Sequence, residues 1–261
     1  DGSDGSSGGA GGGFYEMTSQ WMLWQVNPNW IKDELYHWDA FKTLTHKAFL
    51  HNDNIYHSPY VLEYWSQKHG IDFIAELYRQ SSAYEDPVNT YQRITGISQD
   101  DFVDEIFDCY RHLVNLDFER VFEETRPYAD SFESFAEYLL QDDGYYLVKP
   151  ERCPENYGFN VIGLNLPQAG TTVKLDFKGL QGEDNIEEGN TNGYPGYDNA
   201  WWYVGGNYRC GFVGVTQDGK TVMSDEIGKT GYYDQECTIS FKVPENLKSL
   251  SLVVTAGPVG G

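Results

Sequence analysis

Positive charge is scarce in this sequence. Eighteen Lys and Arg residues face 40 Asp and Glu, for a formal charge of -22. A chain this acidic repels phosphate backbones, and it carries no basic stripe or RNA-binding signature, so nucleic acid is excluded as an expected partner. Long apolar runs are missing as well, so no segment reads as a membrane-spanning helix. Cysteine is sparse: Cys109, Cys153, Cys210 and Cys237 are widely spread with no C-x-x-C, which excludes a cysteine zinc ribbon and a thioredoxin-type site. Four cysteines allow two disulfides. Cys237, however, lies on the apolar side of the alternating run Cys237, Ile239, Phe241, Val243, and a buried free thiol is preferred there over a bridge. No G-x-S-x-G elbow, Walker P-loop or G-x-G-x-x-G turn before a helix occurs, which sets aside serine hydrolases and nucleotide or dinucleotide enzymes. H-E-x-x-H is absent too. Among the six histidines, His46 and His51 are five apart, the wrong spacing for one helix face.

The 261 residues are 40% apolar and 16% aromatic, enough for a sizeable core, and the length suits two domains. The expected architecture is α+β: an N-terminal all-α lobe followed by an antiparallel β-sandwich. Residues 1–13, which open Asp-Gly-Ser-Asp-Gly-Ser-Ser, read as a linker or loop with no signal peptide, unable to form a packed element. Residues 14–142 read as helical. Ser58-Pro59 predicts an N-cap with Gly70 as stop, Asp86-Pro87 a second cap with Gly96 as stop, and Ser98 the cap of a longer helix carrying Phe102, Val103, Ile106, Phe107 and Tyr110 on one face. A last helix is predicted around Phe132, Phe135, Ala136, Leu139 and Leu140. Residues 143–261 read as strands: Phe159–Leu166, the strictly alternating Thr172–Lys178, Phe212–Val215 and Thr221–Met223 about an Asp218-Gly219 turn, Cys237–Val243, and Leu250–Thr255.

Two features of the second half bear on binding. The stretch Gln181–Asn207 holds Glu183, Asp184, Glu187, Glu188 and Asp198. Calcium is a candidate ligand there, but without EF-hand spacing a solvated acidic loop is the preferred reading. Tyr197, Trp201, Trp202 and Tyr203 form an aromatic group that could stack on sugar rings, against the alternative that they fill the core.

The first half offers one further candidate. Phe14, Met17, Trp21 and Trp24 have helical spacing, and Glu16 sits at the edge of that apolar stripe. A carboxylate there calls for a cation, a donor or a metal; the competing reading is a first-turn Glu favoured by the helix dipole. The run Gly11-Gly12-Gly13-Phe14-Tyr15-Glu16-Met17-Thr18-Ser19-Gln20-Trp21-Met22-Leu23-Trp24-Gln25 resembles a segment of a family of secreted proteins from gut anaerobes. That family is a domain of unknown function with kinship to the gluzincin metallopeptidases. Tyr56–Trp65, Asp86-Pro87-Val88, Ile94–Ser98 and Arg209–Lys220 continue the likeness, which covers nearly the whole chain after Ala10.

The resemblance implies a layout. The helical half would correspond to the C-terminal helical part of a zincin, and Glu16 to the third zinc ligand. The H-E-x-x-H helix would lie upstream of Asp1, so this chain would be inactive by itself. Tyr56, His57 and Tyr60 would be the groups that steady a developing oxyanion, against the alternative that they pack the start of the following helix. Zinc is the implied cofactor, a polypeptide the implied substrate, and the location secreted, periplasmic or cell-surface. A non-catalytic glycan-binding module is the alternative function, and a monomer is expected.

Overall fold

Helices fill the first half of the chain: α1 (Ala10–Val26), α2 (Trp30–Asp33), α3 (Leu35–Leu44), α4 (Tyr60–His69), α5 (Asp72–Gln80), α6 (Pro87–Thr95), α7 (Gln99–Leu113) and α8 (Phe122–Ala129). Strands follow: β1 (Tyr138–Leu140), β2 (Tyr146–Val148), β3 (Phe159–Leu164), β4 (Thr172–Lys178), β5 (Tyr208–Thr216), β6 (Thr221–Met223), β7 (Gly228–Thr230), β8 (Glu236–Lys242) and β9 (Leu247–Thr255). The computed structural model describes residues 10–51, 53–82, 85–129, 132, 134, 136–180, 206–231 and 235–258. The class is α+β with antiparallel ladders throughout the named strands.

Sequence punctuation sets several helix ends. The Asp86 carboxylate accepts from the amides of Val88 and Asn89 at the start of α6, and Gly96 ends that helix in the left-handed conformation (φ 72°). Ser98 Oγ accepts from Asp101 N at 3.2 Å to start α7. Ser58 does not cap α4. Its hydroxyl donates to the Phe49 carbonyl at 2.9 Å, because the chain before Pro59 folds back into the core and buries Ser58. The glycines of residues 10–13 are not a linker: they form the first turn of α1. A Cβ on Gly13 would come within 2.8 Å of Ile55 Cγ2 and 2.9 Å of the Leu50 carbonyl oxygen, so the missing side chain is what lets the 50–55 segment lie against the helix.

The predicted last helix is absent where described. Leu139 and Leu140 belong to β1, which pairs with β2 (Leu139 opposite Leu147). Short apolar runs fit both periods. Here the turn decides: Gly144 takes φ 88°, and Gln141 N donates to the Tyr145 carbonyl at 2.8 Å.

The five-stranded sheet has the order β3-β9-β5-β6, with β7 also on β5. Alternation sends successive side chains to opposite faces. Phe159, Val161, Val213 and Val253 join the helical core built around Phe14, Trp24, Trp65, Phe102 and Phe107. Cys210, Phe212, Leu250, Leu252 and Val254 face the other way and pack on Ile239 and Phe241 of β8 and on Val173, Leu175 and Phe177 of β4. β4 and β8 form the second, two-stranded sheet. The order of layers is therefore helices, five-stranded sheet, two-stranded sheet, and one core runs across residue 143.

Candidate functional site

The candidate site is built on α1. Phe14, Met17, Trp21 and Trp24 are buried along one stripe, as the spacing predicts. Glu16 is half-buried at the edge of that stripe. It lies in the second turn of a helix that begins at Ala10, so the first-turn dipole reading of Glu16 does not hold. No hydrogen bond or ion pair ties Glu16 down among the described residues.

Gln20 follows Glu16 by four residues and shares its helix face. Its side-chain oxygen accepts from Trp30 Nε1 at 3.2 Å. The Trp30 ring stacks on His37 with centroids 5.6 Å apart, and His37 Nδ1 lies 2.6 Å from His57 Nδ1. Chain folding alone brings these two imidazoles together, 20 residues apart in sequence. Such a contact needs one Nδ1 to donate and the other to accept, so the pair holds at most one Nδ1 proton between the two atoms. Burial, followed by the neighbouring His37, pushes His57 down to about 4; burial also lowers His37. Both rings are thus neutral at pH 7.

The residues expected to steady an oxyanion differ in burial. Tyr56 is exposed. Tyr60 is only 1% exposed, and burial pushes its phenol well above the usual range. Its hydroxyl and Asn54 Oδ1 have no hydrogen-bond partner among the described residues, and both residues line a cavity of about 10 Å³ with Phe41, Phe49 and Tyr110. Such a space holds about one water. Tyr60 is therefore a core residue here. His57 is linked to α1 through His37, Trp30 and Gln20, and Tyr60 packs directly on Trp24 of α1 with ring centroids 5.6 Å apart.

His46 and His51 are also buried. Burial together with Lys47, Arg152 and His51 brings His46 down to about 3, and burial with Lys47 brings His51 down to about 4. Neither joins a ligand set: among the described residues no group of three or more His, Cys, Asp or Glu is placed to hold a metal ion. Zinc needs three or four such ligands, so these residues do not fit a complete zinc site by themselves. Tyr197, Trp201, Trp202 and Tyr203 lie outside the described residues, as do the calcium candidates Glu183, Asp184, Glu187, Glu188 and Asp198.

Sequence reasoning missed the groups that position α1. Glu63 on α4 is buried. It accepts from Arg120 Nε at 2.8 Å and Arg120 NH2 at 2.9 Å, from Trp21 Nε1 at 3.0 Å and from Gln25 Nε2 at 2.8 Å. A buried carboxylate with four donors is fully compensated, and it fixes α1 to α4. The signal was legible: Glu63 stands inside the apolar run Tyr60-Val61-Leu62-Glu63-Tyr64-Trp65, where only a paired charge is tolerated. His112 is a second missed clamp. Burial pulls it down, but the carboxylates of Asp108 and Asp117 outweigh that and lift it to about 9.

This is an α+β protein whose helical layer packs on one face of an antiparallel sheet. The family of unknown function known as DUF6055 matches residues 2–260, and the chain belongs to it. Comparison with curated proteins found no match, and comparison with solved structures found none. No helix among the described residues is long and apolar enough to cross a membrane.

Proposed function

We propose that this chain is the helical and β-layered part of a secreted, zincin-like protein, in which Glu16 supplies one metal ligand and the remaining ligands lie outside the described residues. The observation that carries this reading is Glu16 itself. A carboxylate at the rim of a buried helix stripe usually acquires a partner within the fold. Glu63 on α4 has four donors; Glu16 has none among the described residues. The resemblance of the Gly11–Gln25 run to a family with gluzincin kinship supports the same assignment. Zinc, once held, would supply Lewis-acid chemistry toward a peptide carbonyl. The role of this chain's residues is to hold Glu16 rigidly. The test is the metal content of the complete gene product, purified without chelator, in the natural form and as Glu16→Gln. Near-stoichiometric zinc that falls at least about tenfold in the variant supports the reading; equal zinc in both, or none in either, overturns it.

A second reading is favoured by the β1–β2 hairpin. Tyr138, Leu139, Leu140, Tyr145, Tyr146 and Leu147 are all exposed there, Leu140 at 62% and Tyr146 at 65%. By contrast the β4 strand carries Lys174, Asp176 and Lys178 on its solvent face, the usual protection of a free strand. Uncharged strands with exposed Leu and Tyr side chains suit an extended polypeptide added as a third strand. A non-catalytic binding module would act this way, with glycan as the alternative ligand if the aromatics at 197–203 provide the surface. Tryptophan quenching by soluble glycan, together with binding of extended peptides to wild type and to Leu147→Pro, separates the two ligands.

A further inference from the structure

Cys210 on β5 and Cys237 on β8 belong to different sheets of the β layer. Both thiols are free, and both sulfurs lie within 3.0 Å of the position a Cβ on Gly228 would take, which sets them beside each other. The space that brings them together is made by Gly228 on β7, which pairs with Cys210 in the ladder. A Cβ on Gly228 would collide with both sulfurs, at 2.9 Å in the case of Cys237. Any other residue at 228 would push the two side chains apart. Of the other two cysteines, Cys109 is buried in the helical core, and Cys153 lies against the carbonyls of Val148 and Lys149 at 3.7 and 3.5 Å.

We infer that Cys210 and Cys237 are a disulfide-forming pair that clips the two-stranded sheet onto the five-stranded one in the presence of a disulfide oxidant. This goes beyond the metal and binding readings and does not depend on either. The oxidant is a small-molecule disulfide. Cys237, the more accessible of the two, loses its proton to solvent. Its thiolate attacks one sulfur of the oxidant, forming a mixed disulfide and releasing one small thiolate. Cys210 then loses its proton, and its thiolate attacks the Cys237 sulfur, releasing the second small thiolate. The two released thiolates take up the two protons, so two protein thiols and one small disulfide become one protein disulfide and two small thiols. Burial raises both cysteines above the ordinary thiol range, so the first step is slow near neutrality and accelerates as pH rises.

The test is to oxidise the purified full chain with glutathione disulfide at pH 8, alkylate it under denaturing conditions and map its peptides. The expected result is a cross-linked Cys210–Cys237 peptide with Cys109 and Cys153 alkylated. Tm should rise by roughly 5–10 °C over the reduced protein. Cys237→Ser should lose both signals and Cys153→Ser keep both. Finding Cys210 and Cys237 both alkylated after exhaustive oxidation, or a glutathione adduct on Cys237 that never resolves, overturns the inference. The wild-type peptide map decides the matter even if Cys237→Ser fails to fold.

Discussion

The two faces of the central sheet are covered by different materials. On the helical face the core is aromatic, with Trp24, Trp30, Trp38 and Trp65 fully buried, and it is pinned by charge. Glu63 meets Arg120 at 2.8 Å, and Arg209 of β5 reaches Asp104 of α7. On the other face the core mixes aliphatic side chains with the stacked rings of Phe212 and Phe241 and with two thiols, and its buried residues carry no ion pair among the described residues. Directional contacts fix where each helix lies, whereas apolar area alone lets a layer settle with less orientational demand. A site that must hold one carboxylate in place belongs on the first face. A covalent clip would change most on the second.

The largest way to break this comparison is Arg120→Ala. It would leave Glu63, 2% exposed at its side chain, without its cation. A loss of about 3–5 kcal/mol in urea unfolding is expected, and a loss below about 1 kcal/mol would show that the helical face is held by area alone. Next comes Leu252→Ala on the opposite face, with an expected loss of about 2–4 kcal/mol. That loss should be nearly independent of salt, because no charge is disturbed.

Acid should act on the helical face selectively. His46 and His51 take up protons near 3 and 4 in the fold but near 6.5 when unfolded. Between those limits the unfolded chain binds more protons, so stability falls as pH drops from about 6.5 to 4. The fall is on the order of 2 kcal/mol per histidine, and His51→Gln should flatten the profile. His112 behaves oppositely. With its folded value near 9, its contribution is complete below about pH 6.5 and is lost as pH rises through 9; Asp117→Asn should remove part of that alkaline loss. The smallest effect is expected at the hairpin, where Leu140→Ser should change stability by no more than about 0.5 kcal/mol while weakening any strand-adding partner.

Legibility followed the locality of the signal. The strand Thr172–Lys178 alternates strictly and forms over those residues; Asp86 and Ser98 cap because capping is a contact within three residues. Ser58 failed as a cap because a distant carbonyl, that of Phe49, took its hydroxyl. The segment at 136–140 was misread because its spacing suits a helix until Tyr146–Val148 arrives to pair with it. At the site, the buried stripe of α1 could be read from spacing, and the rim position of Glu16 with it. The His37–His57 contact and the Trp30–Gln20 bond could not, since no local pattern records which loops meet.

The central claim is that Glu16 is a metal ligand waiting on residues beyond those described. Anomalous diffraction at the zinc absorption edge, from crystals of the complete gene product grown with zinc, tests it most directly. The account predicts a peak roughly 2.0–2.2 Å from a Glu16 carboxylate oxygen. A zinc peak remote from Glu16, or a Glu16 carboxylate satisfied by protein donors alone, would contradict it.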